Sequence, residues 1–392
     1  MIKQTLSLAI IGLKSNVRRV AMSLICIISI AIVSTVFLGL LALSDGMQKT
    51  MMQSGTDNTL LVMRQGASTE LQSVLFPAEV NLLANNAAII RDKDNRPQIS
   101  AELFVSAEYK FEDGAAKSLS LRGIGAHTYS FRPNFALLTG EHFTPGLRQV
   151  LVGQAIAQKY PEIQVGKKIM LGNSEWLVTG IFADNNSVFE SEIWADLNVV
   201  QSEYQRGSSI QSVRLALKPE ANLLQLIETW QADPRLSVRA ILEKDFFDAQ
   251  RQGLTRLIRW IGYPVTFIMA IGAVVSALNT MFSIITSRQR EIATQKAIGF
   301  TPAAISIALI IEATILALLG ALSGIVPMYL LLDGFTAATK NAASLSQLVF
   351  NFSITPQLML KTLGVSMLIG VVGGMLPAFK VMRSSVVSAL CK

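Results

Sequence analysis

Few residues in this 392-residue chain have the types and spacing that catalysis requires. His127 and His142 are its two histidines, and neither has the helical or Cys/His spacing of a metal site. A serine nucleophile of the Gly-x-Ser-x-Gly kind is absent. Glu190 and Glu192 could pair as a general acid and base, but two acids at this spacing on a strand read as a solvated strand edge. Gly153 opens a helix-like 154–160, and Gly166-Lys167-Lys168 precedes a strand. Without a Gly-x-x-x-x-Gly-Lys-Ser/Thr pattern anywhere, these read as turn glycines rather than a phosphate cradle. The chain is therefore expected to be no enzyme and to bind no metal or cofactor directly.

The polar residues that stand out lie in the C-terminal third. Ser287-Arg-Gln-Arg-Glu-Ile-Ala-Thr-Gln-Lys-Ala-Ile-Gly299-Phe-Thr-Pro302 is short, charged and bounded by helix-ending residues. Ile292, Ala293, the stem of Lys296, Ala297 and Ile298 could form one face of a short helix lying across a membrane surface. Such a helix is either a connector or a docking element for a cytoplasmic partner. Glu312 sits about nine residues into the apolar run that follows, roughly 13 Å deep at 1.5 Å per residue. A carboxylate there faces a partner rather than lipid. Asn279, at a similar depth in the preceding run, is predicted to hydrogen-bond to it, as a clamp between helices rather than a proton relay.

Membrane-spanning helices must position these residues. Hydrophobic residues make up 51% of the chain and charged ones only 16%, against about a quarter charged in soluble domains. Four runs, at 20–43, 258–286, 303–332 and 358–379, reach the roughly 20 residues that a bilayer core requires. The first exceeds the core of a secretory signal, so it reads as a retained span. The net charge of +7 lies beside these runs, because residues 44–257 hold 24 acids and 21 bases, a net of −3. That distribution argues against nucleic acid. Lys3, Lys14, Arg18 and Arg19, then Arg288, Arg290 and Lys296, then Lys380, Arg383 and Lys392 mark alternate segments as cytoplasmic. Both termini are then inside a cell inner membrane, with 44–257 and the 333–357 loop outside.

Within 44–257, the ends at 44–54 and 241–257 read as helical stalks. Between them, β-type runs at 149–153, 168–171 and 175–182 alternate with turns, and 223–230 reads as helix. Cys26 and Cys391 both lie elsewhere, so this domain depends on its own core rather than on disulfides. The expected fold is four transmembrane helices with an inserted α+β extracytoplasmic domain on helical stalks.

The pattern Arg-x-Arg-Glu-Ile-Ala-x-x-Lys-Ala-Ile-Gly at 288–299, with Ile310-Ile-Glu-Ala313 and Leu318-Leu-Gly320, resembles the permease signature of the MacB, FtsX and LolC/LolE superfamily of ABC transporters. Gly374-Met-Leu-Pro-Ala-Phe-Lys380 and Val387-Ser-Ala-Leu390 resemble that family's closing motif, and Leu278-Asn279-Thr280 sits where its second span carries an asparagine. Leu121-Arg-Gly-Ile-Gly125 and 149–182 resemble the MacB-type periplasmic domain. The resemblance implies a dimer of permeases, homo- or heteromeric, working with an ATP-binding cassette ATPase that binds ATP and magnesium. With only about 19 residues before the first span, that ATPase is expected on a separate chain. The 287–302 stretch is then the coupling helix, with Arg288, Arg290, Glu291, Lys296 and Gly299 as its contacts. Motion would pass through spans and stalks to the exposed domain. Three roles fit this mechanism: MacB-like efflux with a periplasmic adaptor and outer-membrane channel, lipoprotein or lipid extraction of LolC/LolE type, and FtsX-type regulation of a cell-wall hydrolase. A membrane receptor without an ATPase would leave the 288–299 pattern without a use.

Overall fold

A computed structural model describes residues 2–16, 20–110, 116–340 and 347–383. Arg18, Arg19, Cys391, Lys392 and the 387–390 motif lie outside the described residues. In chain order the elements begin with α1 (Ile2–Asn16), α2 (Val20–Met52), β1 (Thr59–Arg64), α3 (Pro77–Ala84), β2 (Ile99–Lys110), β3 (Ala116–Ile124) and β4 (Phe135–Gly140). There follow β5 (Gln149–Gly153), α4 (Gln154–Lys159), β6 (Lys168–Leu171), β7 (Ser174–Asp184), β8 (Glu192–Asp196), α5 (Leu197–Glu203), β9 (Ser212–Ala216), α6 (Leu223–Ala232) and β10 (Val238–Leu242). The last are α7 (Glu243–Ser287), α8 (Gln289–Ala297), α9 (Pro302–Leu332), β11 (Thr336–Lys340), β12 (Gln347–Asn351) and α10 (Pro356–Arg383). The chain divides into two compact units, one of residues 1–45, 255–335 and 352–392 and the other of 46–254 and 336–351.

The first unit is helical. Among the described residues, four segments are long and apolar enough to cross a membrane: Ser23–Met52, Glu243–Ser287, Pro302–Leu332 and Pro356–Arg383. Lipid supplies no hydrophobic drive between helices, so close backbone approach at small residues holds such bundles together. Gly320 and Gly324 of α9 lie against α2, where an added Cβ would come within 2.9 Å of the Ile27 oxygen or 2.5 Å of the Ala31 oxygen. Gly370 and Gly374 of α10 meet Ala317 and Ala313 of α9, and Gly373 meets Ala277 of α7. Hydroxyls add two links, the buried pair Ser34 and Ser366 at 2.9 Å and the half-buried pair Ser29 and Ser276 at 3.0 Å. Leu8 and Ala9 of α1 join Ile292, Ala304, Leu309 and Val381 in one apolar cluster. The N-terminal segment is thus a packed helix in this unit.

The second unit is an α+β domain built on a ten-stranded sheet. Its order is β10-β1-β9-β2-β3-β8-β5-β7-β4, with β6 paired to β2 and β7. The β3–β8 and β5–β7 pairs are parallel. β1 lies between β9 and β10 and is buried on both faces, which accounts for its unbroken apolar run Leu60-Leu-Val-Met63. β7 alternates instead, and Trp176, Val178 and Phe182 on one face are fully buried. One core lies around β5 to β8 with α4 and α5, and a second lies around β1, β9 and β10 with α3 and α6.

Two expectations change here. Ile241 and Leu242, read as part of a stalk, are the end of β10, and the long helix opens at Glu243. The 333–357 loop holds an antiparallel hairpin, β11–β12, which packs on α4, β3 and a 3-10 turn at Val188–Ser191. Its strands are five residues each, Thr336–Lys340 and Gln347–Asn351, too short for an alternation strong enough to be read from sequence.

Candidate coupling site

The helical unit presents α8, and its local sequence explains its limits. Arg288 holds the N-cap position, Ile298 is the C-cap, and Gly299 follows at φ +104°. That left-handed conformation suits glycine and ends the helix. Thr301 then caps α9, its hydroxyl accepting from the Ala304 N–H at 3.3 Å, with Pro302 in the first turn.

The five residues singled out in sequence divide into two groups. Arg290, Glu291 and Gly299 are exposed. Arg288 points inward and is 4% exposed. Its Nη1 lies 3.3 Å from Oε2 of Glu312, and its Nε donates to Glu291 at 3.0 Å. Lys296 also turns inward, where Nζ donates to the Val381 carbonyl at 2.6 Å, and burial lowers its pKa. Ile292 and Ala293 are buried beneath α8, but Ala297 and Ile298 lie outside the apolar face expected for them, and Ile298 is 73% exposed. Periodicity could group these residues without telling which of them the bundle covers.

Glu312 is buried and has a partner, but the partner is not Asn279. Asn279 is exposed on α7, and the carboxylate meets Arg288 instead. An opposite charge neutralises a buried carboxylate better than an amide does, and Arg288 is within reach because α8 begins directly after α7. Gly12 of α1 covers the pair, since a Cβ there would lie 2.5 Å from Glu312 Oε2. The result is an internal strut that seats α8 on α9 and α1.

The exposed unit holds a second constellation that the sequence did not disclose. Glu190 and Glu192, read as a solvated edge, are buried at 4% and 3% exposure: Glu190 lies in the 3-10 turn Val188–Ser191, where its carboxylate accepts the Asp184 and Asn186 N–H groups, and Glu192 opens β8, an interior strand between β3 and β5. Arg122 of β3 donates to both Glu192 oxygens at 2.6 Å and to Glu102 of β2 at 2.9 Å. It also donates to Glu70 at 2.9 and 3.0 Å. Arg214 of β9 reaches Glu102 through Nη1 and donates through Nε to Glu243, the first residue of α7, at 2.7 Å. Arg132 donates to the same Glu243 at 3.1 Å. Burial by itself would raise the pKa values of Glu70 and Glu243. The guanidiniums outweigh it and hold both below the ordinary carboxylate range, Arg122 and Arg214 acting on Glu70 and Arg132 and Arg214 on Glu243. Arginine is suited to this place because its planar fork satisfies several carboxylates at once. The cluster thus fixes the start of α7 to the middle of the sheet. No group of three or more metal-ligating side chains occurs among the described residues.

Comparison with known proteins supplies the context. The family model described as MacB-like periplasmic core domain matches residues 23–232, and that described as FtsX-like permease C-terminal matches 265–386. A protein called macrolide export ATP-binding/permease protein MacB from Nitrobacter winogradskyi is 26% identical over 98% of this chain and 59% of its own length. One of the same description from Mannheimia succiniciproducens is 22% identical over 94% of this chain and 58% of its own. In a third such match, from Photorhabdus laumondii, identity is 23% over 58% of this chain, and the alignment takes in about a third of the relative, 35%. Among solved structures, the periplasmic region of MacB from Actinobacillus actinomycetemcomitans aligns with 53% of this chain and 97% of its own, at 15% identity and a TM-score of 0.38.

Proposed function

Because this chain belongs to the FtsX-like permease family with a MacB-like periplasmic core domain, we propose that it carries ATP-driven motion from a cytoplasmic ATPase through its membrane helices to the extracytoplasmic domain. The ATPase is a separate cassette subunit holding ATP and magnesium, and two permease copies work together in the inner membrane with their termini inside. The work done outside is export of a substrate, in concert with a periplasmic adaptor and an outer-membrane channel. The relatives named for macrolide export favour this role over lipoprotein extraction or hydrolase regulation.

The observation that carries the proposal is the build of α8. Its inner face is anchored by Ile292, Ala293, Lys296 and the Arg288–Glu312 pair, while Arg290, Glu291 and Ile298 project outward. A short helix held by a buried ion pair moves as one body with the bundle, and an exposed isoleucine beside a helix-ending glycine suits an apolar groove on a partner. Ile298 thus joins Arg290, Glu291 and Gly299 as a contact, whereas Arg288 and Lys296 act as positioning residues.

Ile298→Asp, and separately Arg290→Ala with Glu291→Ala, should weaken co-purification of the ATPase and its stimulation by at least about tenfold, the loss of one interface anchor. Wild-type binding and stimulation in both variants would refute docking at α8.

A further inference from the structure

The 3-10 turn Val188–Ser191 is four residues long, and each residue is tied to a different part of the exposed unit. The Val188 N–H donates to Ser54 Oγ at 2.7 Å, and that hydroxyl donates to the Thr50 carbonyl in the last turns of α2 at 2.6 Å. The Phe189 ring meets Phe247 of α7 edge-on, with centroids 5.8 Å apart. Its face carries the Arg132 guanidinium at 3.6 Å, the same arginine that holds Glu243 at the start of α7. Glu190 Oε1 accepts the backbone N–H groups of Asp184 and Asn186, both at 2.7 Å, and so ties the turn to the end of β7. Ser191 Oγ accepts the Val349 N–H at 3.0 Å and donates to the Val349 carbonyl at 2.9 Å, clasping β12.

These ties involve the chain of each of the four membrane helices found among the described residues. α2 and α7 enter the unit directly, and the β11–β12 hairpin is the stretch of chain that joins α9 to α10. Ser191 is 2% exposed and Val349 is equally buried. A lost hydroxyl would leave both Val349 backbone groups without this partner in a dry site, which is costly. Gly153 keeps the turn seated, because a Cβ there would collide with the Glu190 backbone.

We propose that Val188–Ser191 is the node at which the exposed unit receives the motion of all four membrane helices, with Ser191 as the positioning residue for the α9–α10 hairpin. The inference deepens the transmission role proposed above and rests on it, but its test requires no ATPase.

Backbone hydrogen exchange of the full chain in nanodiscs, without partners, reads the node directly. Ser191→Ala should raise exchange at Val349 by about tenfold. It should also raise exchange at Val188, whose own bond is to Ser54, by at least about twofold through coupling across the turn. Ser54→Ala should act reciprocally on Val349. Unchanged exchange in β1 and β9 certifies the fold in both variants. If Val349 keeps its wild-type rate in Ser191→Ala, the clasp is not made. If each variant affects only its own bond, the connections are independent and there is no node. Failure of ATPase docking at α8 would leave all these rates unaltered, so the two readings fail separately.

Discussion

Glu243 joins the ion cluster of the sheet to the long helix α7. It is fully buried, accepts from Arg214 and Arg132, and is the first residue of the helix that becomes a membrane span. Removing one partner from a buried ion cluster leaves an uncompensated charge and costs about 3–5 kcal/mol. Glu243→Gln should therefore destabilise the exposed unit by about that amount in thermal or denaturant unfolding, whereas Lys244→Ala, at an exposed pair with Asp57, should have little effect. Asp184 responds to pH in the opposite sense from Glu70 and Glu243. Burial raises its carboxyl to about 6, against partial opposition from Ser187 and Arg132. The folded form then holds a proton that the unfolded chain releases near pH 4, so stability falls as pH rises from about 4 to 6. Glu70 and Glu243 have lowered folded values, and their contribution is lost as pH falls below about 4.5. Asp184→Asn should flatten the fall between pH 4 and 6 and raise stability at pH 7.5 by about 1–3 kcal/mol. An unchanged pH profile would show that Asp184 is ionised throughout.

At the scale of elements, the membrane helices depend on glycines in specific places. Gly320→Val puts branched carbons where the α2 backbone lies, so it should force α2 from α9 and lower the thermal midpoint of the purified chain by several degrees. Gly272→Ala, with open space around it, should be neutral or slightly stabilising, as alanine is favoured by up to about 1 kcal/mol in a helix. The elements themselves were largely legible. The apolar runs marked the spans, and the alternation of 175–182 marked β7. What those patterns could not convey was the identity of the opposing surface. Val213-Arg214-Leu215 alternates like a strand with one wet face, yet the charged face meets Glu102 and Glu243. Asn279 and Glu312 were matched by depth alone, and depth says nothing of the direction in which a helix turns its side chains. The paired strands at 336–340 and 347–351 were missed because five residues each carry too few alternating positions to mark a strand.

At the scale of the whole molecule, the proposed role is that of a transmitter. A short helix is fixed in the helical unit by Arg288–Glu312, and the helices on either side of the exposed unit are fixed within it by an ion cluster and by one four-residue turn. Such an arrangement needs packed, rigid connections rather than catalytic groups, consistent with the small-residue contacts of α2, α9 and α10. The most direct test is hydrogen exchange of the exposed unit in the reconstituted permease–ATPase complex, compared between nucleotide-free and ATP-bound states. Transmission through the node should produce an ATP-dependent change at Val188–Ser191 and over the first turns of α7, abolished by Ile298→Asp. An exposed unit whose exchange is identical in both states, while the wild-type complex binds and hydrolyses ATP, would contradict it.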